Sequence, residues 1–271
     1  MHSCWNTAVE SRIIVELLLG ALKRIIEGAG NYAIFSARAV KLAFLPPFRL
    51  RLILSQMEFI GVNSFFIVFL TGSFAGMVFA LQSSYAFKLF SAQDLVGSTV
   101  ALSLTREIGP VFTALVVTGR AGSAMAAELG AMRVTEQIDA LETMAVEPIQ
   151  YLAAPRLIAS TVMLPVLTMV FDAVGTIGAY IVGVYYVGID AGTFINRIQY
   201  YVDPEDVYNG LIKAAVFGMV MATVSCYKGF FAKGGAKGVG EAITRAVVLT
   251  SVSVLFVDLL MTALMGSGVG K

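Results

Sequence analysis

Arg106 and Glu107 stand side by side inside the otherwise uncharged run ALSLTREIGPVFTALVVTG, residues 101–119. A charged side chain at membrane depth costs roughly 2.5–3.5 kcal/mol on insertion scales, so it persists where it is paired or faces a polar cavity. Neighbours on a helix point about 100° apart, so at least one of the two must face the protein interior. Pro110 follows four residues after Arg106 and cannot donate to its carbonyl, which predicts a bend. One place therefore offers a cation, an anion and a free carbonyl. Such a set suits either a structural ion pair or a polar feature in which Arg106 faces a phosphate. Asp172 and Asp258 are the other carboxylates in apolar runs. Together with Glu107 they would suit an ion-coupled carrier; the alternative is structural, protonated or water-wetted acids. Ser123 has no base: the one histidine is His2, and no lysine lies near the serine, so neither a catalytic triad nor a histidine metal site is expected. Cys4 and Cys226 match no disulfide framework or metal spacing.

The elements that must hold these charges are membrane spans. The chain has 271 residues, 58% hydrophobic and 14% charged, where a soluble domain carries nearer a quarter charged. Its net charge of +1 gives no sign of nucleic-acid binding. The reading is an all-α membrane protein, a single domain over 1–271, with an N-terminal region 1–50 and a transmembrane region 59–265. Within the first region Ile13, Ile14, Leu17, Leu18, Leu22, Ile25 and Ile26 fall at helical spacing opposite Arg12, Glu16, Lys23 and Glu27. That pattern predicts a helix lying in the membrane interface, or else a soluble helix that binds a partner. Spread charges and the lack of a cleavage pattern exclude a signal peptide, and Pro46 and Pro47 break the chain.

Five spans follow, at about 59–81, 95–128, 157–187, 207–231 and 246–265. As one straight helix the second would be roughly 51 Å long, more than the ~30 Å hydrocarbon core, so it must kink, tilt or project. Lys213, near the start of the fourth, is expected to snorkel to the interface. Gly72 and Gly76 in the first span, and Gly122, Ala126 and Gly130 in the second, form small-residue faces that admit another helix closely and are expected to support assembly of two copies, the alternative being that they face lipid. Gln82 and Tyr85, just after the first span, are placed to line an outer mouth or to anchor at the interface.

Basic residues gather in the N-terminal region and in the 228–245 loop (Lys228, Lys233, Lys237, Arg245), and are scarce in 82–94 and 188–206. The N-terminus is thereby assigned to the cytoplasm and the C-terminus outside. The 129–156 loop is cytoplasmic by parity yet acidic. In its 134–148 segment Ile138, Leu141 and Ala145 form an apolar ridge, flanked by Glu136, Gln137, Asp139 and Glu142, and Pro148 ends it. Such a helix suits a groove on another protein. As a connector on the bilayer its acid would be repelled by anionic head groups. Neither GGAKGVGE nor GSGVGK has the context of a phosphate loop, so no ATP site is expected on the chain.

The run GRAGSAMAAELGAMRVTEQIDALETMAVEP (119–148), with LTREIGP (104–110) upstream, resembles the signature of the MlaE permeases, membrane subunits of Mla-type lipid ABC transporters. The likeness extends more weakly over about 60–265. It implies a homodimer bound to two ABC ATPase subunits, which carry the ATP and magnesium. It also implies an MCE-domain protein on the periplasmic side, a STAS-domain protein on the ATPase, and a glycerophospholipid cargo. The 134–148 helix would couple ATPase closure to the spans. The lipid cavity would lie near Arg106 and Glu107, between two copies and opening outward, in a bacterial inner membrane. An ion-coupled carrier using Glu107, Asp172 and Asp258, and more weakly an intramembrane enzyme, are the readings from other classes.

Overall fold

Polar backbone groups in a membrane must find their hydrogen bonds within each segment, and the described residues do so with helices throughout. The computed structural model describes residues 23, 26–46 and 49–266, and among them every regular element is helical. We number these α1 (26–43), α2 (Leu50–Lys88), α3 (Gln93–Val134), α4 (Gln137–Thr143), α5 (Ile149–Tyr186), α6 (Ala191–Tyr201), α7 (Pro204–Phe230) and α8 (Gly235–Gly266). Five of them, α2, α3, α5, α7 and α8, are long and apolar enough to cross a membrane. Each begins or ends beyond the apolar window that marks it in the sequence, because a helix continues through interfacial residues at no cost in backbone hydrogen bonds. The bundle has two ends. One carries α4 and the α7–α8 turn, the other α6, and we call them the α4 end and the α6 end.

Of the residues that predict an interfacial helix, 12–27, all but Lys23, Ile26 and Glu27 lie outside the described ones. What is described is α1, which packs rather than floats. Phe35, Ala39 and Ala43 are buried, and the Tyr32 hydroxyl shares a 2.8 Å hydrogen bond with that of Thr223 on α7. Phe35 sits 5.6 Å from the rings of both Tyr227 and Phe230.

Helix contacts are made by small residues, and they are made within the chain. A Cβ at Gly76 would run into the backbone of Gly175 on α5, and one at Gly72 would lie 3.0 Å from the Phe171 carbonyl. On α3, a Cβ at Gly122 would meet the Ser225 hydroxyl of α7 at 3.0 Å, Ala126 lies against Gly229, and Gly130 faces Val239 of α8. These faces are therefore spent on neighbours in the same protomer, which removes them as contacts between copies.

Five π-turns interrupt the spans: Glu58–Val62, Leu104–Ile108, Thr118–Gly122, Ile149–Ala153 and Ile181–Tyr186. A π-turn loosens backbone carbonyls, and two arginines answer them. Arg120, itself in a π-turn, donates to the Phe59 carbonyl at 2.6 Å and the Ser64 hydroxyl at 3.0 Å. Arg156, 4% exposed, donates to the Leu152 carbonyl at 2.6 Å and pairs with Glu128 at 2.7 Å.

The 188–206 segment, which reads as a loop in the sequence, contains α6. Asp190 caps it, accepting from the backbone N–H of Thr193 at 2.8 Å and its hydroxyl at 3.0 Å. These donors hold the Asp190 carboxyl below its ordinary range. Phe194 enters a notch beside Gly97 and Gly183, with its ring 5.6 Å from that of Tyr180.

Gly76→Ala should lower unfolding stability by about 1–3 kcal/mol, as overpacking does. Gly119→Ala, where a Cβ meets open space, should stay within about 0.5 kcal/mol. Thermal unfolding in detergent measures both; equal effects would show that α2 and α5 are not in close contact.

Candidate functional site

The π-turn Leu104–Ile108 carries Arg106 and Glu107 toward α7 and α8, and each finds its partner on another helix. Arg106 Nε lies 3.0 Å from Asp206 Oδ1. The other oxygen of Asp206 accepts from the Asp203 backbone N–H at 3.1 Å, closing a capping box at the start of α7. Glu107 Oε2 accepts from Lys213 Nζ at 2.6 Å. Asp206 and Lys213 are seven residues apart on α7, hence on one face, and they receive the two adjacent charges of α3.

Lys213 does not snorkel. It is 2% exposed, because its ammonium is fully engaged: besides Glu107 it donates to Thr262 Oγ1 at 2.7 Å and lies 3.2 Å from Asp258 Oδ1. Thr262 donates on to Glu107 at 3.3 Å. Asp258 and Thr262 are four apart on α8 and so share a face. Three spans thus meet around one buried ammonium, in a cluster of two cations and three carboxyl groups.

Beside this cluster is a cleft of about 470 Å³, lined by Leu102, Ser103, Arg106, Glu107, Asn209, Lys213, Thr262 and Met265. It belongs to the half of the bundle nearer the α6 end. The side chains of Arg106 and Glu107 are 38% and 42% exposed, against 3% for Lys213. Among the described residues the terminal guanidinium nitrogens of Arg106 have no partner, so they are the free donors of the cleft. A planar fork of this kind matches a phosphate or carboxylate. Gln82 and Tyr85 are exposed but do not line the cleft. Asp172 is apart as well: it packs against Gly109, just past the π-turn, and its Oδ1 is buried without a hydrogen-bond partner. Pro110 is buried where α7 passes, near Gly210.

At the α4 end, α4 is bracketed by two left-handed residues, Glu136 (φ 59°) and Ala145 (φ 57°). Of the expected outward ridge, Ile138 and Leu141 are turned inward, while Ala145 lies past the end of α4 and is exposed. Ile138 is 1% exposed, clustered with Phe35, Leu129, Leu152 and Phe230, with Leu141 packed against them. Asp139 is taken by Arg133. What α4 and the following turn present outward is Glu136, Gln137, Glu142, Glu147 and Met144, the last 72% exposed. No group of three potential ligands that could hold a metal occurs among the described residues.

Sequence reasoning missed Asp206, Lys213 and Thr262 as members of the site. The signal for the first two was their spacing of seven on one helix; for Thr262 it was its place one turn after Asp258.

Residues 53–264 match a protein family described as "Permease MlaE". The chain is 44% identical over 241 residues to a "Probable ABC transporter permease protein" of Rickettsia felis, covering 89% of this chain and 93% of the relative. It is 39% identical over 263 residues to the "Intermembrane phospholipid transport system permease protein MlaE" of Haemophilus influenzae, covering 94% and 100%. With a plant relative, "Protein TRIGALACTOSYLDIACYLGLYCEROL 1, chloroplastic" of Arabidopsis thaliana, it shares 38% identity over 217 residues, 80% of this chain and 62% of the relative.

Lys213→Met should destabilise the fold by about 3–5 kcal/mol, since it strands two carboxylates without their cation. The triple change Lys213→Met, Glu107→Gln, Asp258→Asn should recover much of that loss. Additive losses across the three sites in thermal unfolding would mean that the groups are not coupled.

Proposed function

The chain belongs to the MlaE permease family, and from that premise we propose that it is the membrane subunit of an ATP-driven transporter moving glycerophospholipid between inner and outer membranes. The observation that carries this reading is the cleft. It puts a guanidinium among apolar spans, beside a cluster in which Lys213 already holds the carboxyl groups of Glu107 and Asp258. A phospholipid needs that combination: a donor for its phosphate and apolar walls for its chains. The name of the Haemophilus relative, an intermembrane phospholipid transport permease, points the same way.

In this reading two copies of the chain pair so that their clefts face a shared cavity. The apolar outer faces of α2 and α8, with Phe65, Phe66, Phe69, Val252, Leu255, Phe256 and Leu259 exposed, are available for lipid and for the second copy. The α6 end faces the periplasm, where an MCE-domain protein would receive or deliver cargo. The α4 end faces the cytoplasm, as its basic residues favour, and ATP is hydrolysed on a separate ATPase subunit that also carries the STAS-domain protein. Coupling would pass through the exposed side of α4, with Glu136, Glu142, Glu147 and Met144 in contact with the ATPase. Ile138 would act from behind as the bolt that fixes α4 to α1, α3, α5 and α7. The ion-coupled alternative is weakened by Lys213, whose ammonium occupies the space between Glu107 and Asp258 that a transported cation would need.

Arg106→Ala should lower phospholipid per folded dimer several-fold, and Arg106→Lys less, because lysine keeps the charge and loses the fork. Lipid counted by mass spectrometry on monodisperse protein tests this; an unchanged count in Arg106→Ala removes the residue from the cargo site. For coupling, Glu142→Lys with Met144→Asp should abolish co-purification of the ATPase while the melting temperature holds. Full co-purification would show that the exposed face of α4 does not dock it.

A further inference from the structure

At the α4 end, far from the cleft, two adjoining cavities run between α1 and the α7–α8 turn. One, of about 520 Å³, is lined in part by Ile34, Arg38, Tyr227, Phe231 and Lys233. The other, of about 280 Å³, takes in Tyr227, Lys228, Phe231, Lys233 and Arg245. They share Tyr227, Phe231 and Lys233, so together they form one groove.

Its chemistry is amphiphilic. Arg38, Lys228 and Lys233 have no carboxylate partner among the described residues, whereas Arg245 is already paired with Glu241 at 3.1 Å. Lys228 Nζ lies 5.4 Å over the Tyr227 ring, and Tyr227 packs on Phe231 at 4.9 Å. Between these cations the groove exposes large apolar side chains, Ile34 at 61% and Phe231 at 56%. Three unneutralised cations alone would fit any anion, and an acidic protein surface among them. Cations set around exposed aliphatic and aromatic surface at the end of a span instead match an anion that brings its own apolar chain.

We propose that this groove binds the head group of an anionic phospholipid, its phosphate among Lys228, Lys233 and Arg38 and an acyl chain along Ile34 and Phe231. The lipid bridges α1 to the α7–α8 turn, so it reinforces a contact that the protein otherwise makes through Tyr32, Phe35 and Tyr227. This site is separate from the cargo cleft and shares no lining residue with it.

The test is lipid titration of the detergent-purified full-length protein, read by native mass spectrometry, with phosphatidylglycerol as the anionic probe and phosphatidylcholine as the zwitterionic one. Wild type should bind phosphatidylglycerol more tightly than phosphatidylcholine. Lys228→Gln with Lys233→Gln should weaken phosphatidylglycerol on the order of thirtyfold, at about a factor of five per cation removed, and leave phosphatidylcholine unchanged. Lys228→Arg with Lys233→Arg, which keeps both charges, should retain the wild-type preference. Equal binding of the two lipids by wild type overturns the proposal even where the glutamine variant fails to fold. It is also overturned by unchanged phosphatidylglycerol affinity in the glutamine variant, or by equal loss of both lipids. Loss of ATPase co-purification without loss of phosphatidylglycerol would assign the cations to a protein contact and overturn it too.

Discussion

An ammonium among apolar spans survives only if carboxylates meet it, and the position of Lys213 follows from that constraint. Removing a charge from water costs several kcal/mol, repaid only by close and complete pairing. Lys213 achieves this by drawing Glu107 from α3 and Asp258 and Thr262 from α8 to one point. The three helices cannot separate there without stranding charge. Arg106, displaced from the partner beside it in sequence, reaches Asp206 instead through Nε and lines the cleft with no hydrogen bond from its terminal nitrogens among the described residues. The free donors of the site are in this sense a by-product of how its other charges are satisfied.

The same rule acts on the backbone. In hydrocarbon, loosened carbonyls need donors, and the π-turns create them where arginines are close at hand: Arg120 for Phe59, Arg156 for Leu152. Both arginines also tie neighbouring spans together, Arg120 joining α3 to α2 and Arg156 joining α5 to α3 through Glu128. Glycine contacts set how near the spans approach, and the arginines fix how they are staggered.

Much of this was legible in the sequence because the membrane leaves so few options. Long apolar runs announce the spans, and a charge inside one, as with Arg106 and Glu107, announces a polar site. What the sequence concealed was tertiary. Lys213 near the start of a span has the look of a snorkelling lysine until α3 and α8 are placed beside it. Asp206 reads as an ordinary helix-start acid, which it also is. Ile138 and Leu141 show an amphipathic stripe, but a stripe does not say which body it packs against; here it is the protomer's own α1, α3, α5 and α7. The small faces at Gly72 and Gly122 suggest contacts between copies, but the helices that fill them are α5 and α7 of the same chain. The π-turns have no sequence hallmark. For α6 the signal was present, in the Asp190 cap and the spacing of Phe194 and Ile198, though α6 is too short for periodicity alone to carry it.

In the proposed function, the cleft between α3, α7 and α8 holds a phospholipid by its phosphate. Cryo-electron microscopy of the assembled complex in lipid nanodiscs tests it most directly. The expected map shows density for a two-chain amphiphile in the cleft, its head group within hydrogen-bond distance of the terminal nitrogens of Arg106 and the Lys213 cluster intact beside it. A cleft closed by side chains, or one holding only water while lipid occupies another part of the dimer, would contradict it.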